Sequence, residues 1–185
     1  GHCQTKITCA LKNMKGLIPN SEKRRFHSMG LHKPIAHLAV GIHQDFIVVD
    51  NICGDWDFED GGNPVVMNRI MAAADPVLCD AYVAHLMGYD LEEIPYIQMA
   101  ADLGAGLEDW ELAEFRELNL PKEKAVVPKD RKIVELQDTV EEVESCSACY
   151  GYLIPALQRL KEEGLMKNLN EKICIGQGFR GKTGE

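Results

Sequence analysis

Residues 50–80, DNICGDWDFEDGGNPVVMNRIMAAADPVLCD, decide how this chain is read. They follow FIVV at 46–49, a β-branched apolar run that predicts a buried strand ending at Asp50. Open α/β sheets bind ligands at such strand ends. Five carboxylates then fall within eleven residues, Asp50, Asp55, Asp57, Glu59 and Asp60, with Asp45 just upstream. Gly61, Gly62, Asn63 and Pro64 close the stretch with residues suited to tight turns. Residues 64–88 read as two helices broken at Asp75-Pro76, where Asp75 caps the second helix, Pro76 occupies its first turn and Gly88 ends it. Asn68, Asp75 and Asp80 would thus project from a helix and its successor. A strand feeding paired helices predicts an α/β fold, with a mixed sheet flanked by helices and a small C-terminal unit bearing cysteines.

Two chemistries fit the acidic stretch. Clustered oxygen donors suit a hard divalent cation, with Asp55, Asp57 and Asp60 as candidate ligands, although the spacing follows no calcium-loop pattern. The plainer alternative is a solvated acidic loop. Asp80 lies among Val77, Leu78, Ala81, Val83 and Ala84, a setting that buries it, and a buried carboxylate needs a partner. Lys12 is the candidate partner. Together with Asn13 beside the Gly16 turn, it forms an amine–amide pair that could hold an anion or a carboxylate-bearing ligand, against the alternative of a helix end with a solvated lysine. Lys12, Asn13, Asp50, Asn63, Asn68, Asp75 and Asp80 are therefore the candidate ligand-binding set.

Charge is distributed unevenly. The net charge is −9, which disfavours nucleic acid and membrane surfaces as partners. Residues 1–44 carry seven Lys and Arg against one Glu, residues 45–118 carry two against seventeen acidic residues, and residues 119–185 balance at eleven each. The basic start is expected to face the acidic middle. His27, His32, His37 and His43 lack the spacing of a helix-borne zinc site and read as surface or core histidines. Ile35, Leu38, Ala39 and Ile42 set a helical apolar rhythm in the same segment.

With 185 residues and 45% hydrophobic content, one core with a small appendage is expected. No apolar run has membrane-spanning length, and no leader pattern is present, so a cytoplasmic location is the expectation. The chain also reads as a piece of a longer protein, since Gly1 is not Met and patterned sequence begins at once. Seven cysteines without secretory features argue for reduced thiols, some available to metal.

Past Leu118 the character changes. Residues 119–144 read as a charged, proline-bounded linker with short strands, between a core domain at 1–118 and a helix–strand unit at 145–185. Cys146 and Cys149 stand at the expected start of that unit's helix, where free amides favour thiolates. They fit ligation of an iron–sulfur cluster or zinc, a dithiol–disulfide couple, or two reduced structural cysteines. The helix is expected to pack Leu153, Ala156, Leu157 and Leu160 inward and to end at Gly164. Cys174 follows in a strand, KICIG. Residues 176–183, GQGFRGKT, satisfy the P-loop pattern after that strand, but only two residues follow in which a helix could open on phosphate.

Several ordered stretches also resemble one family: HCQTKITCALKNMKGLIP at 2–19, SEKRRFH at 21–27, VVDNICGDWDFEDGGNPV at 48–65, NRIMAAADPVLCDAYVAHLMGY at 68–89 and IPYIQMAADLGAG at 94–106. The chain is similar to the uncharacterised domain of unknown function 362 family. The resemblance implies a strand before Gly1, an association with ferredoxin-type modules and redox chemistry in anaerobes, without a settled activity. It favours cluster ligation by Cys146 and Cys149, in a four-iron cluster whose remaining ligands lie outside this stretch. A redox-associated, iron–sulfur-linked protein with a cleft for a small ligand or cation is the leading expectation. A non-catalytic module docking on a ferredoxin-like partner is the alternative.

Overall fold

The computed structural model describes residues 1–2, 4–56, 64–119, 136, 138–143, 145 and 147–182, without the side chains of residues 64, 147–151 and 168. In chain order the elements are α1 (Ala10–Asn13), α2 (Asn20–Ser28), α3 (His32–Gly41), β1 (Ile47–Asp55), β2 (Pro64–Ala73), α4 (Pro76–Leu86), α5 (Pro95–Asp102), β3 (Val140–Glu142), α6 (Ser147–Glu162) and β4 (Ile173–Ile175). This is a mixed α/β fold. The strands fall into two small sheets instead of one: β1 pairs antiparallel with β2, and β3 pairs parallel with β4.

The larger core forms where α1, α3, α4 and α5 meet. Ile7, Leu11, Ile35, Val77, Ile94, Tyr96 and Ile97 are fully buried there, and Ile47 joins them from β1. The apolar rhythm of α3 is as expected at Ile35 and Ala39, with Pro34 and Ala36 also buried. Asp75 caps α4 as its sequence predicts, its Oδ1 accepting from the amides of Val77 (2.8 Å) and Leu78 (3.0 Å), and Pro76 takes the first turn. Gly88, at φ 73°, lies two residues beyond Leu86 and lets the chain leave the helix.

Residues 64–73 depart from expectation: they form a strand, not a helix. Ile47 pairs with Ala73 and Asp55 with Pro64, so 47–73 is a long hairpin. Asp50 lies mid-strand, opposite Ile70, not at a strand end. The register slips between Asn51 and Cys53, where two residues of β2 oppose one of β1. Asn68, at φ 52°, sits in this bulge, in a left-handed conformation that asparagine tolerates better than most residues. One hairpin face packs inward through Val65 and Met67, whereas Phe46, Val48, Val66 and Ile70 are exposed.

The smaller core lies in the C-terminal region. β3, α6 and β4 form a strand–helix–strand unit with parallel strands. Leu136, Val140, Ile154 and Leu157 are buried in it, with Leu153, Met166, Ile173 and Ile175 packed around them. The inward face of α6 is thus Leu153, Ile154 and Leu157; Ala156 and Leu160 point outward. Cys174 is exposed between Ile173 and Ile175, as strand alternation requires. The Gln4 side-chain amide donates to the Ser145 carbonyl, a contact between the first residues and this unit.

Candidate functional site

The polar interior is organised around the short helix α1 and the turn before it. His2 and Lys6 bridge, and the His2 amide donates to the Lys6 carbonyl at 2.9 Å. Lys6 takes a positive φ of 61° to close this turn. The turn folds the chain back so that His2 is buried, and its Nδ1 accepts from the backbone amides of Gln4 and Thr5, each at 3.2 Å. Two amides aimed at Nδ1 leave the ring proton on Nε2. Burial, followed by the charges of Lys12 and Lys15 and then of the amino terminus and His27, lowers the His2 pKa from 6.5 to about 3.

Two ammonium groups, Lys12 of α1 and Lys15 of the turn after it, thus act on His2. Lys12 is only 6% exposed and its Nζ donates to Thr8 Oγ1 at 2.9 Å. Lys15 Nζ lies 3.3 Å from His27 Nε2, joining the turn after α1 to α2. Asn13, next to Lys12, is exposed at the end of α1.

Asp80 is fully buried against the start of α1. Its Oδ2 accepts from the Tyr96 hydroxyl of α5 at 2.9 Å, and its Oδ1 from the Leu11 amide at 3.3 Å. The Cys9 thiol and Ala10 amide also favour its charged form. Desolvation outweighs these donors and raises its pKa from 3.8 to about 6. Tyr96, buried and facing a carboxylate, is raised well above 10 and stays a donor. His32 stacks on the Tyr96 ring with centroids 5.9 Å apart. The carboxylate predicted to pair with Lys12 is therefore held by a phenol and helix amides instead. Neutral dipoles at the start of α1 meet it from its own contact with α4, and they do so without burying a second charge.

The remaining candidates do not converge on one cleft. Asp75 uses its second oxygen to accept from the Leu107 amide at 2.8 Å, and a Cβ on Gly106 would run into its carboxyl, so this residue clamps the 105–107 turn onto α4. Asp50 and Asn68 lie on the exposed side of the hairpin, Asp50 accepting from the Ile52 amide at 3.0 Å. Asp55 ends β1. Asp57, Asp60 and Asn63, and with them most of the proposed cation loop, lie outside the described residues. So do Cys146 and the side chain of Cys149, although α6 does begin at Ser147, between them in sequence. Among the described residues, no group of three or more His, Cys, Asp and Glu could hold a metal ion. Two glycines of the P-loop-like match have a packing cause: side chains at Gly176, which has φ 122°, and at Gly178 would collide with Val143, and the Gly178 amide donates to the Val143 carbonyl at 3.1 Å, whereas Gly181 has open space around it and φ 79°.

The residues that sequence reading passed over are His2, Lys15, Tyr96, Cys9 and Cys79. The basic excess of residues 1–44 pointed to the lysines near His2 in general terms. Nothing local ties Tyr96 to Asp80.

Fold and site define a mixed α/β protein with a buried carboxylate held by neutral donors at the start of a short helix, and a buried histidine with lysines near it. Residues 1–85 match the family model of the domain of unknown function DUF362. The resembling stretch at 94–106 lies beyond the matched residues. No curated protein and no solved structure shows a match. Among the described residues, no helix is long and apolar enough to cross a membrane.

Proposed function

We propose that the protein is redox-associated and iron–sulfur-linked, and that its N-terminal region binds a small anionic ligand, a carboxylate or phosphate, beside Lys12 and Lys15. The observation that carries this reading is that Lys12 and Lys15 lie close enough to the buried His2 for their charges to add to burial in lowering its pKa, with Lys15 also 3.3 Å from the His27 ring. Two ammonium groups close to one neutral, buried imidazole add positive potential to this part of the surface, and positive potential attracts small anions. This moves the ligand from the acidic stretch to Lys12 and its neighbours; a divalent cation at Asp55, Asp57 and Asp60 is a separate proposal. Cluster ligation by Cys146 and Cys149 draws on their spacing around the start of α6 and on the family resemblance, with the other ligands supplied by further sequence or by a ferredoxin-type partner.

Calorimetric titration with inorganic phosphate, pyrophosphate and a dicarboxylate tests the anion site. At least one should bind, and a Lys15→Met/His27→Gln variant should lose tenfold or more in affinity. Equal binding by the two proteins, or none by either, sinks the reading. A docking module for a ferredoxin-like partner is the second reading, favoured by the apolar outer face of the hairpin at Phe46, Val48, Val66 and Ile70.

A further inference from the structure

Cys9 and Cys79 are far apart in sequence and adjacent in space. Cys9 immediately precedes α1, Cys79 lies in the first turns of α4, and their sulfur atoms are 3.9 Å apart. Both are free thiols, 8% and 5% exposed. A disulfide requires about 2.05 Å, so the sulfurs must close by roughly 2 Å, a distance that rotation of two thiols on their Cα–Cβ bonds can cover. The helices that carry them are already packed together. The other free cysteines with described side chains, Cys53 and Cys174, are exposed.

The surroundings keep this pair reduced until an oxidant arrives. The hydrogen bond to Cys79, burial and the nearby Asp80 charge raise the Cys9 thiol well above its ordinary value, so it is not a standing thiolate. Exchange with a bulky disulfide is hindered by burial at both sulfurs, which leaves a small oxidant.

We propose that Cys9 and Cys79 form an oxidisable dithiol that closes to an intramolecular disulfide when it meets hydrogen peroxide. One thiol gives up its proton and the transient thiolate sulfur attacks a peroxide oxygen; the O–O bond breaks, and the displaced hydroxide takes up that proton and leaves as water, giving a sulfenic acid. The second sulfur then attacks the sulfenic sulfur; the S–O bond breaks and the hydroxyl leaves as a second water with the second thiol proton. Two thiols lose two electrons in all, and one peroxide gains them. The product ties the segment carrying Lys12 to α4 across most of the N-terminal region, constraining the unfolded chain and the start of α1 together. This inference does not depend on the ligand reading.

The test treats the full chain with hydrogen peroxide, alkylates remaining thiols and digests it without reduction. Mass spectrometry should find the Cys9 and Cys79 peptides joined, two hydrogens lighter than their sum, and melting should rise by about 5 °C or more until dithiothreitol reverses it. Cys53→Ser should leave the cross-link intact, and Cys79→Ser should abolish it. The proposal is overturned if both thiols stay reduced at a peroxide excess that oxidises Cys53, if they are found as sulfinic acids, or if they pair with other cysteines.

Discussion

The turn before α1 and the contact of α1 with α4 each bury a titratable group, and they treat it in opposite ways. His2 sits among cations and has amides directed at one ring nitrogen, so burial and charge act together against its protonated form. Asp80 sits among neutral donors that support its charge, so burial and hydrogen bonding oppose each other. The first group is fixed neutral over the physiological range; the second is balanced near pH 6. The contrast makes His2 a structural element of the N-terminal turn and Asp80 the group whose state changes close to neutrality.

The largest effect that would break this contrast is acid destabilisation through His2. Its folded pKa is depressed from 6.5 to about 3, so the stability it contributes is present above pH 6.5 and is lost as pH falls toward 3. The shift corresponds to roughly 4–5 kcal/mol as an upper limit. In urea unfolding between pH 3 and 8, His2→Asn, which keeps an acceptor near the Nδ1 position, should remove most of the acid loss. If the variant and the parent lose stability in parallel below pH 6, His2 is not held neutral.

Asp80 has the opposite sign. Its folded pKa is raised from 3.8 to about 6, so its stability contribution is present below about 3.8 and lost as pH rises through 6. The span is about 3 kcal/mol. Between pH 4 and 6.5 the two groups offset each other, and the parent protein should show a shallow profile there. Asp80→Asn should remove the decline on the alkaline side, expose the full His2 slope and leave stability independent of pH between 7 and 8. A variant whose decline from pH 4 to 7 matches that of His2→Asn would show that Asp80 does not titrate in this window.

What the sequence revealed of this arrangement was what local pattern controls. The Asp75 cap, Pro76, the Gly88 stop and the rhythm of α3 each depend on residues within a few positions of one another; the first three appear as read, and the rhythm holds at Ile35 and Ala39 while Leu38 is half-buried and Ile42 falls beyond the helix. Residues 64–73 were misread because Met67, Met71, Ala72 and Ala73 are good helix formers, whereas their strand conformation is decided by pairing with 47–55. Asp80 was correctly expected to be buried from its apolar neighbours, but its partners were not legible. Charge complementarity pointed to Lys12, while Tyr96 and the Leu11 amide reach it only through the packing of α5 and α1. Cys9 and Cys79 met for the same long-range reason, whereas the Cys146–Cys149 spacing was visible because it is local.

The smallest effect sharpens the comparison by separating hydrogen bonding from burial at Asp80. Tyr96→Phe removes one hydroxyl, the donor 2.9 Å from Oδ2, and retains the ring that stacks with His32. A hydrogen bond to a charged group contributes about 1.5–3 kcal/mol, and one between neutral groups about 0.5–1.5 kcal/mol. Loss of the donor weakens support for the ionised carboxylate more than for the neutral acid, so the folded pKa of Asp80 rises further and the decline of stability, which still starts near 3.8, runs on to a higher pH. Tyr96→Phe should therefore cost more at pH 7.5, where Asp80 is ionised, than at pH 4.5, where it is protonated, with a difference of about 1 kcal/mol. The same pair of measurements on Tyr96→Phe/Asp80→Asn should show no such difference, because there is no charge left to support. An equal cost for Tyr96→Phe at both pH values would mean that the phenol serves packing alone and that desolvation by itself sets the state of Asp80.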